Sequence, residues 1–586
     1  MTTAKKTASH CGHRGVLALL CATGLSLVAG SSQGETKVYR NLKIYRPTVT
    51  TNDIYFYHPA TEPDLQYNHD VDIVKFKGRF FAAWNANARP AEGVPGQYNF
   101  LSVSDDFRRW SKPVRLFYRE GGCENPVETD NQWQPIFVND RDETLYCAWC
   151  DYNARRTFVA SSRDGLKWRN HEVPTAPPAL EGKVVGFPTN HGLVTSKGVL
   201  MLPCSLPFTP KFLVGDTRYA AVLRSEDHGR TWQWSDPIEA AKWSEMGENP
   251  REFGGETVAI WEPMLFEQAD GRLGLLIRNS TAQEKTEIPE KPYRMLLYAT
   301  SRDEGRTWTK ARSVEVDTIC SRNYAVGGVG GRDGLLMVMN DNHVQIPQRI
   351  SHDRYFLSLF CAPVCNPDLL LPGPLVQPEG GTAFYPNGFV DHGKLYVAYT
   401  YPRGIHSSVV ELLPDFSEPF LLPREGRPGL RIDGRTATLG LRQTSLGLVL
   451  NEALTEAEEL RLEFAVNVVR YPGQDFPLLT LGGKTRSGAT LRAVYSATAK
   501  SDVFLLRYGA KTLEIAPLTM RTWNKIAMVI KRKEFSVAVN GGEPATFTHP
   551  LLRKICFGGL YERPEWPLGM SRPNDVRIDL DSIVVQ

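Results

Sequence analysis

Past residue 34 this chain has no apolar run long enough to cross a membrane as a helix, so no membrane span is expected. It also lacks net charge: 68 Lys and Arg stand against 65 Asp and Glu, or +3 over 586 residues. So small a surplus makes no positive field for a phosphate backbone, and no nucleic-acid partner is expected. Cysteine is scarce, ten in all, and none has the second pair or the histidines at ligand spacing that a zinc site needs. Cys147 and Cys150 lie in a strand-like run, where residues three apart face opposite sides; Cys361 and Cys365 are the other possible local pair. No metal and no cofactor is expected.

The length exceeds one ordinary core, so at least two domains are expected. Aromatics reach 10%, which leans towards β structure or contact with sugar rings. At the start, Lys5, Lys6 and Arg14 precede GVLALLCATGLSLVAGSS, and small residues follow to Gly34. Residues 1–34 therefore read as a signal peptide, and the mature protein is expected to be secreted, periplasmic or on the cell surface. Cys21 follows Leu20 rather than a small residue, which argues against a lipoprotein site.

What is present repeats. Six times an apolar strand, a tight polar turn and a second apolar strand follow one another. The copies are HDVDIVKFKGRFFAAW from His69, WQPIFVNDRDETLYCAW from Trp133, FPTNHGLVTSKGVLMLP from Phe187, WEPMLFEQADGRLGLLIR from Trp261, NYAVGGVGGRDGLLMVMN from Asn323 and FYPNGFVDHGKLYVAYTY from Phe384. Turn chemistry and short apolar runs make each a hairpin. Between them SEDHGRTW (225–232) and SRDEGRTW (301–308) share S-x-D-x-G-x-T-W, with degraded copies at 161–168 and 102–110. In such an Asp-box the Ser and Asp bond turn amides, and the Gly takes a backbone that other residues avoid. Asp227 and Asp303 are thus expected to staple turns, not to catalyse. Six hairpins, each followed by another strand pair, spell an all-β fold: a six-bladed β-propeller over 35–415. Inner strands start near a propeller's mouth, so residues at those starts converge from distant places in sequence.

From Val390 the pattern changes. The stretch 411–430, with four prolines, reads as a linker or a domain edge. Beyond it LRLEFAVNV (460–468) and FSVAVNG (535–541) alternate, and RIDLDSIVV (577–585) closes the chain. TWNKIAMVIKRKEFSVAVNGG resembles the hairpin of laminin-G or concanavalin-like sandwiches. That implies a β-sandwich over 425–586, either binding sugar or packing against the propeller.

WEPMLFEQADGRLGLLIRN (261–279) resembles the sialidase segment N-E-x-x-x-x-x-L-x-D-G-x-L-x-x-x-x-R, which supplies a catalytic glutamate and one arginine of a carboxylate-binding triad. Those places fall on Glu262 and Arg278. GTAFYPNGFVDHGKLYVAYTY resembles the family's last blade, which puts its nucleophile on Tyr385. RYFLSLF (354–360) resembles the strand with another triad arginine, here Arg354, with Arg322 and Arg349 near enough to replace it. RPAEGVPGQYNFLSVS (89–104) resembles the loop of the acid/base carboxylate, and Glu92 is nearest that place. The resemblance covers about residues 60–405. One departure matters. Sialidases open with Y-R-I-P, whose Arg completes the triad, but YNHDVDIV (67–74) has none. His69 or Asn68 takes that place, with Arg46 well upstream. Losing one such charge-assisted contact costs about 1.5–3 kcal/mol.

The resemblance implies a retaining exo-glycosidase without a metal, releasing terminal sialic acid from glycans or mucin-type glycoproteins. Tyr385 attacks as Glu262 takes its proton, Glu92 protonates the leaving oxygen, and Arg278 and Arg354 hold the sugar carboxylate. His69, Asp70 and His191 complete the expected binding residues; Asp70 and Asp72 rival Glu92 as the acid. Two other readings stay open. One is a hydrolase or lyase for uronate or rhamnose linkages, with His69 or His191 as base beside Tyr385. The other is a non-catalytic glycan-binding protein, which fold alone does not exclude.

Overall fold

The computed structural model describes residues 37–586 outside 59–64, 209–215, 254, 282–293, 319–320, 331, 342–353, 355, 378–381, 403, 425–429, 440–444, 471–475, 483–487, 509–510, 550 and 561–574. The expected signal peptide and Arg349 lie outside the described residues. Val38–Gln586 forms one compact unit. No helix among the described residues is long and apolar enough to cross a membrane.

The six hairpins form the inner halves of six antiparallel blades. The inner strands are Tyr67–Phe76, Gln132–Asp140, the split pair Phe187–Pro188 and Leu193–Val194, Ile260–Glu267, Tyr324–Val329 and Phe384–Asp391. Consecutive inner strands touch, blades three and four through Phe187 and Trp261, and the last touches the first, which closes the ring. Thr48–Phe56, from the start of the chain, is the outer strand of the sixth blade, beside Gly404–Glu411. The ring is thereby locked by strands far apart in sequence.

The Asp-boxes sit at the turn leaving the third strand of blades one to four. In blade four Ser301 donates to Asp303 Oδ1 at 2.8 Å, and the Gly305 and Thr307 amides donate to Ser301 Oγ and Asp303 Oδ1 at 3.0 Å each. Blade three repeats this through Ser225, Asp227, Gly229 and Thr231. The degraded copies keep the Ser–Asp staple at Ser162–Asp164 and Ser104–Asp106. Gly229 shows why glycine is needed: its φ is +73°, and a Cβ there would lie 2.3 Å from the Tyr146 ring.

Two eight-stranded sheets follow and face each other across one apolar core. Alternation explains them: along Trp523–Lys531 every second residue is buried. Two details differ from the boundaries read in the sequence. Tyr39–Arg40 and Lys43–Ile44 pair with Asp575–Val585 and Phe420–Arg424, so residues 39–44 join the C-terminal sheets. The proline-rich stretch is also not all linker, because Phe420–Arg424 is itself a strand paired with Ser445–Val449. Its Phe420 and Leu422 share a core with Leu357, Leu359 and Leu371 of blade five. Arg424 adds a buried ion pair to Asp341, with Nε donating to Oδ2 at 2.6 Å. Cys361 and Cys365 do not pair; both are buried free thiols.

Candidate active site

Four of the six inner strands begin in the same strained way. Asp70, Gln134, Glu262 and Tyr385 have φ of 56°, 43°, 50° and 57°. At each the pairing register skips: between His69 and Asp72, Trp133 and Ile136, Trp261 and Pro263, and Phe384 and Asn387. These are β-bulges, which re-aim one side chain out of the strand's alternation. A side-chain-bearing residue at positive φ costs about 1–3 kcal/mol, and such residues cluster at functional sites. In three of the four, an aromatic residue precedes and a proline follows: Trp133-Gln134-Pro135, Trp261-Glu262-Pro263 and Phe384-Tyr385-Pro386.

The four side chains meet around three guanidiniums. Arg278, at the end of Leu273–Asn279, donates from a single Nη1 to Glu262 Oε2 at 2.7 Å and to the Tyr385 hydroxyl at 2.8 Å. Arg322, just ahead of blade five, donates from Nη2 to Asp70 Oδ1 at 2.8 Å and lies 3.6 Å from Glu262 Oε1. Its Nε and Nη1 are buried and meet no partner among the described residues, which marks the site as built for something more. The Arg322 and Arg354 guanidinium carbons lie 4.7 and 4.6 Å from the Tyr385 ring centre, in cation–π range.

Asp70 is the hub of the first blade's corner. Gln134 Nε2 donates to its Oδ2 at 3.0 Å, and the Asn85 amide, oriented to satisfy its neighbours, donates to the same oxygen at 3.2 Å. His69 Nε2 lies 3.5 Å from Asp70 Oδ1 and 4.0 Å from Glu92 Oε1, while its Nδ1 shares a 2.9 Å hydrogen bond with Thr400. A polar atom each from His69, Asp70 and Glu92 falls within 4.8 Å of the others. Arg322 already supplies positive charge to Asp70 there, so we read the three as a hydrogen-bonding cluster and not as ligands for a cation.

Electrostatics follow from this crowding. Burial pushes the Tyr385 phenol up to about 12; Arg278 and Arg354 oppose the rise, and Glu262 and Asp70 add to it. Glu92 is held well above the usual carboxyl range by burial, then by the charge and hydrogen bond of Asp70 and by Glu262. Solvent still reaches 35% of its side chain, as on the wall of a cleft where protein crowds a group that remains open to the mouth. Burial, with Arg354 and Arg322, drives His69 well below its usual value, so it is neutral at pH 7. Tyr67 is raised by burial and by Glu92.

Tyr385, Glu262, Glu92, Arg278, Arg354, His69 and Asp70 are thus brought to one place. His191 is not part of it. Its Nδ1 lies 2.8 Å from Asp72 Oδ1, its amide donates to Asn387 Oδ1 at 3.2 Å, and it lines a cavity of about 370 Å³ with Phe266–Ala269 and Val326–Gly328. Those residues lie at the far ends of inner strands whose near ends carry the site, so His191 faces the opposite opening. Asp72 is no rival acid: the Ile73 and Phe137 amides donate to it at 2.9 and 2.7 Å, and it is wholly buried. Of the two residues expected at the missing arginine's place, His69 stays in the site beside Tyr385 and Asn68 does not. Asn68 is turned to Trp84 Nε1 and the Leu65 carbonyl, and the bulge presents Asp70. Gln134, Asn85 and Arg322 belong to the cluster as well; Gln134 was missed, although it stands in the same aromatic-x-Pro frame as Glu262 and Tyr385.

Residues 78–364 match the family described as BNR repeat-like domain. No curated protein matches the chain. Among solved structures it is similar to Trypanosoma rangeli sialidase in complex with sialic acid, at 13% identity and a TM-score of 0.47, covering 93% of this chain and 96% of that one. It is also similar to a Dyadobacter fermentans protein of unknown function, at 15% identity and a TM-score of 0.44, covering 64% of this chain and 99% of that one. A Hadza microbial sialidase matches at 15% identity and a TM-score of 0.45, covering 60% and 67%.

Proposed function

We propose that this chain, whose propeller is of the sialidase-like BNR-repeat superfamily, is a retaining, exo-acting glycoside hydrolase that removes a terminal acidic sugar, sialic acid being the first candidate. The BNR domain and the sialidase-like fold support a glycoside-hydrolase-like function. The observation that carries the chemistry is the single Arg278 nitrogen bonded to both the Tyr385 hydroxyl and Glu262. It holds a nucleophile and its base side by side, as a Tyr–Glu mechanism needs.

Tyr385 oxygen attacks the anomeric carbon while Glu262 takes the phenol proton. Glu92 gives its proton to the leaving oxygen, then takes one from the water that frees the sugar from Tyr385, while Glu262 returns its proton to the departing Tyr385 oxygen. Configuration is retained because the anomeric carbon is attacked twice. Arg278, Arg322 and Arg354 face Asp70 and Glu262, three guanidiniums against two carboxyl groups, with a neutral His69 and a Glu92 whose carboxyl is held well above its usual range beside them. One carboxylate on the substrate balances the site, and Arg278 and Arg354 are the groups that would receive it. A second reading rests on Asp70. A sialoside carries its carboxylate on the anomeric carbon itself, and the corner of the first blade already holds the carboxylate of Asp70. A uronate carries it on C5, the carbon on the other side of the ring oxygen, so a uronate hydrolase is the alternative. His191, turned to the opposite opening, is lost to the lyase reading as a base.

We also propose that the protein acts outside the cytoplasm after residues 1–34 are removed, and that its sandwich packs the propeller or holds glycan. Incubation with sialyl-lactose, sialylated mucin and uronate polysaccharides tests the function. Free acidic sugar in the substrate's anomeric form, lost in Tyr385→Phe and Glu262→Gln, supports it. An unsaturated product absorbing in the near ultraviolet means a lyase, and binding without turnover means a lectin.

A further inference from the structure

We propose that Asp70 is the positioning residue for the acid: it fixes the orientation of the Glu92 carboxyl and keeps its proton in place for the leaving oxygen. This rests on the hydrolase reading, in which Glu92 is the acid. Asp70 cannot be that acid. Solvent reaches 1% of its side chain, against 35% for Glu92. Both its oxygens are committed, one to Arg322 and the other to Gln134. It is itself held rigidly at a bulge with φ of 56°.

Glu92 comes from a loop that the same corner holds. The Gly93 amide donates to Gln97 Oε1 at 2.8 Å, and Asn87 Nδ2 donates to the Val94 carbonyl at 2.9 Å. A Cβ on Gly93 would lie 2.9 Å from the Trp133 ring, so the loop is seated on the residue before Gln134. The bulge that sends Gln134 to Asp70 therefore also positions the loop carrying Glu92. The carboxyl groups of Asp70 and Glu92 come within 4.8 Å, with His69 against both. Two carboxyls so close do not ionise together without a cost, and one retains the proton. Asp70 has the guanidinium of Arg322, so the proton belongs on Glu92. The groups facing the pair are His69 and Tyr67 of blade one, Glu262 and Arg278 of blade four, Arg322 and Arg354 of blade five, and Tyr385 of blade six. The same arrangement serves the second half of the reaction: once Glu92 has lost its proton it sits beside a fixed negative charge, and takes one back from the attacking water.

The test is the pH dependence of kcat/KM on an aryl glycoside with a poor leaving group, where the acid is needed. Its alkaline limb reports the acid in the free enzyme. Asp70→Asn removes the like charge, and the limb is expected to fall by about 1–3 pH units. Since that change leaves Arg322 buried without its carboxylate, a positive charge that itself lowers Glu92, the double variant Asp70→Asn/Arg322→Gln is measured beside it and is expected to show a smaller fall in the same direction. A limb that stays in place in either folded variant overturns the proposal. A second readout needs no turnover: the infrared band of a protonated carboxyl, assigned by its loss in Glu92→Gln, is present near pH 7 in the wild type and lost there in the double variant. A band that persists in the double variant also overturns it. Failure of the wild type to hydrolyse any glycoside strikes the hydrolase reading alone, because the infrared band still reports on Asp70 and Glu92.

Discussion

Glu262→Gln is the most informative single change. The side chain is buried and accepts from Arg278 Nη1 at 2.7 Å; glutamine keeps an acceptor of the same shape and removes the base. With the phenol of Tyr385 at about 12, its ionised fraction at pH 7 is about 10⁻⁵, and ionising it costs about 7 kcal/mol. Glu262 spares that cost by taking the proton during attack. A positioned base contributes about 10²–10⁴-fold, within the ceiling of about 10⁵-fold set by the phenol. The expected loss in kcat is therefore about 10³-fold, with KM little changed because Arg278 and Arg354 remain. The sign of the pH effect follows. The variant must draw on phenolate made by solvent, so log kcat should climb with pH with a slope near one, levelling below 12 because the raising influence of Glu262 is gone. The assay is steady-state release of an activated aryl leaving group between pH 6 and 10, so that Glu92 is not needed as an acid. A loss under tenfold, or a pH profile like that of the wild type, would refute the pairing of Tyr385 with Glu262.

Three further outcomes are expected. Tyr385→Phe should abolish turnover yet bind substrate within a few-fold by calorimetry; the Arg278 nitrogen keeps Glu262, and stability falls by no more than about 1.5–3 kcal/mol in thermal unfolding. Asp303→Ala removes the bonds to the Thr307 amide and hydroxyl, at 3.0 and 2.6 Å, and should cost about 1–3 kcal/mol of stability while leaving kcat unchanged. Arg424→Met strands buried Asp341 and should cost about 3–5 kcal/mol, seen as faster proteolysis within 411–430; Arg424→Met/Asp341→Leu should recover most of it.

The ring of blades was readable because hairpin turns and Asp-boxes are local chemistry: each copy carries its own strands, staple and glycine. Tyr385 and Glu262 were readable through the resemblance of their segments, and the structure adds the physical signal: a proline behind an aromatic-x pair marks the bulge that aims the x residue inward. Gln134 stands in that same frame. Asp70 does not, because Val71 follows it, and alternation along the strand hides which of Asn68, His69 and Asp70 a bulge will present. His191 was misplaced because blade three's inner strand is split, so a residue four past Phe187 falls towards the other opening. Arg322 carries no motif at all; only closure of the ring brings it to Asp70, 252 residues away. The placing of residues 39–44 was hidden likewise, since strands of two residues leave no periodicity to read.

The central claim is a covalent bond between sugar and Tyr385. A fluorinated glycosyl fluoride of the sugar that the enzyme turns over should trap that intermediate. Mass spectrometry of the digested protein should then find the added sugar on the peptide containing Tyr385, and not in Tyr385→Phe. A sugar carried on Glu262 or Glu92, or turnover that inverts the anomeric centre with nothing trapped, would contradict it.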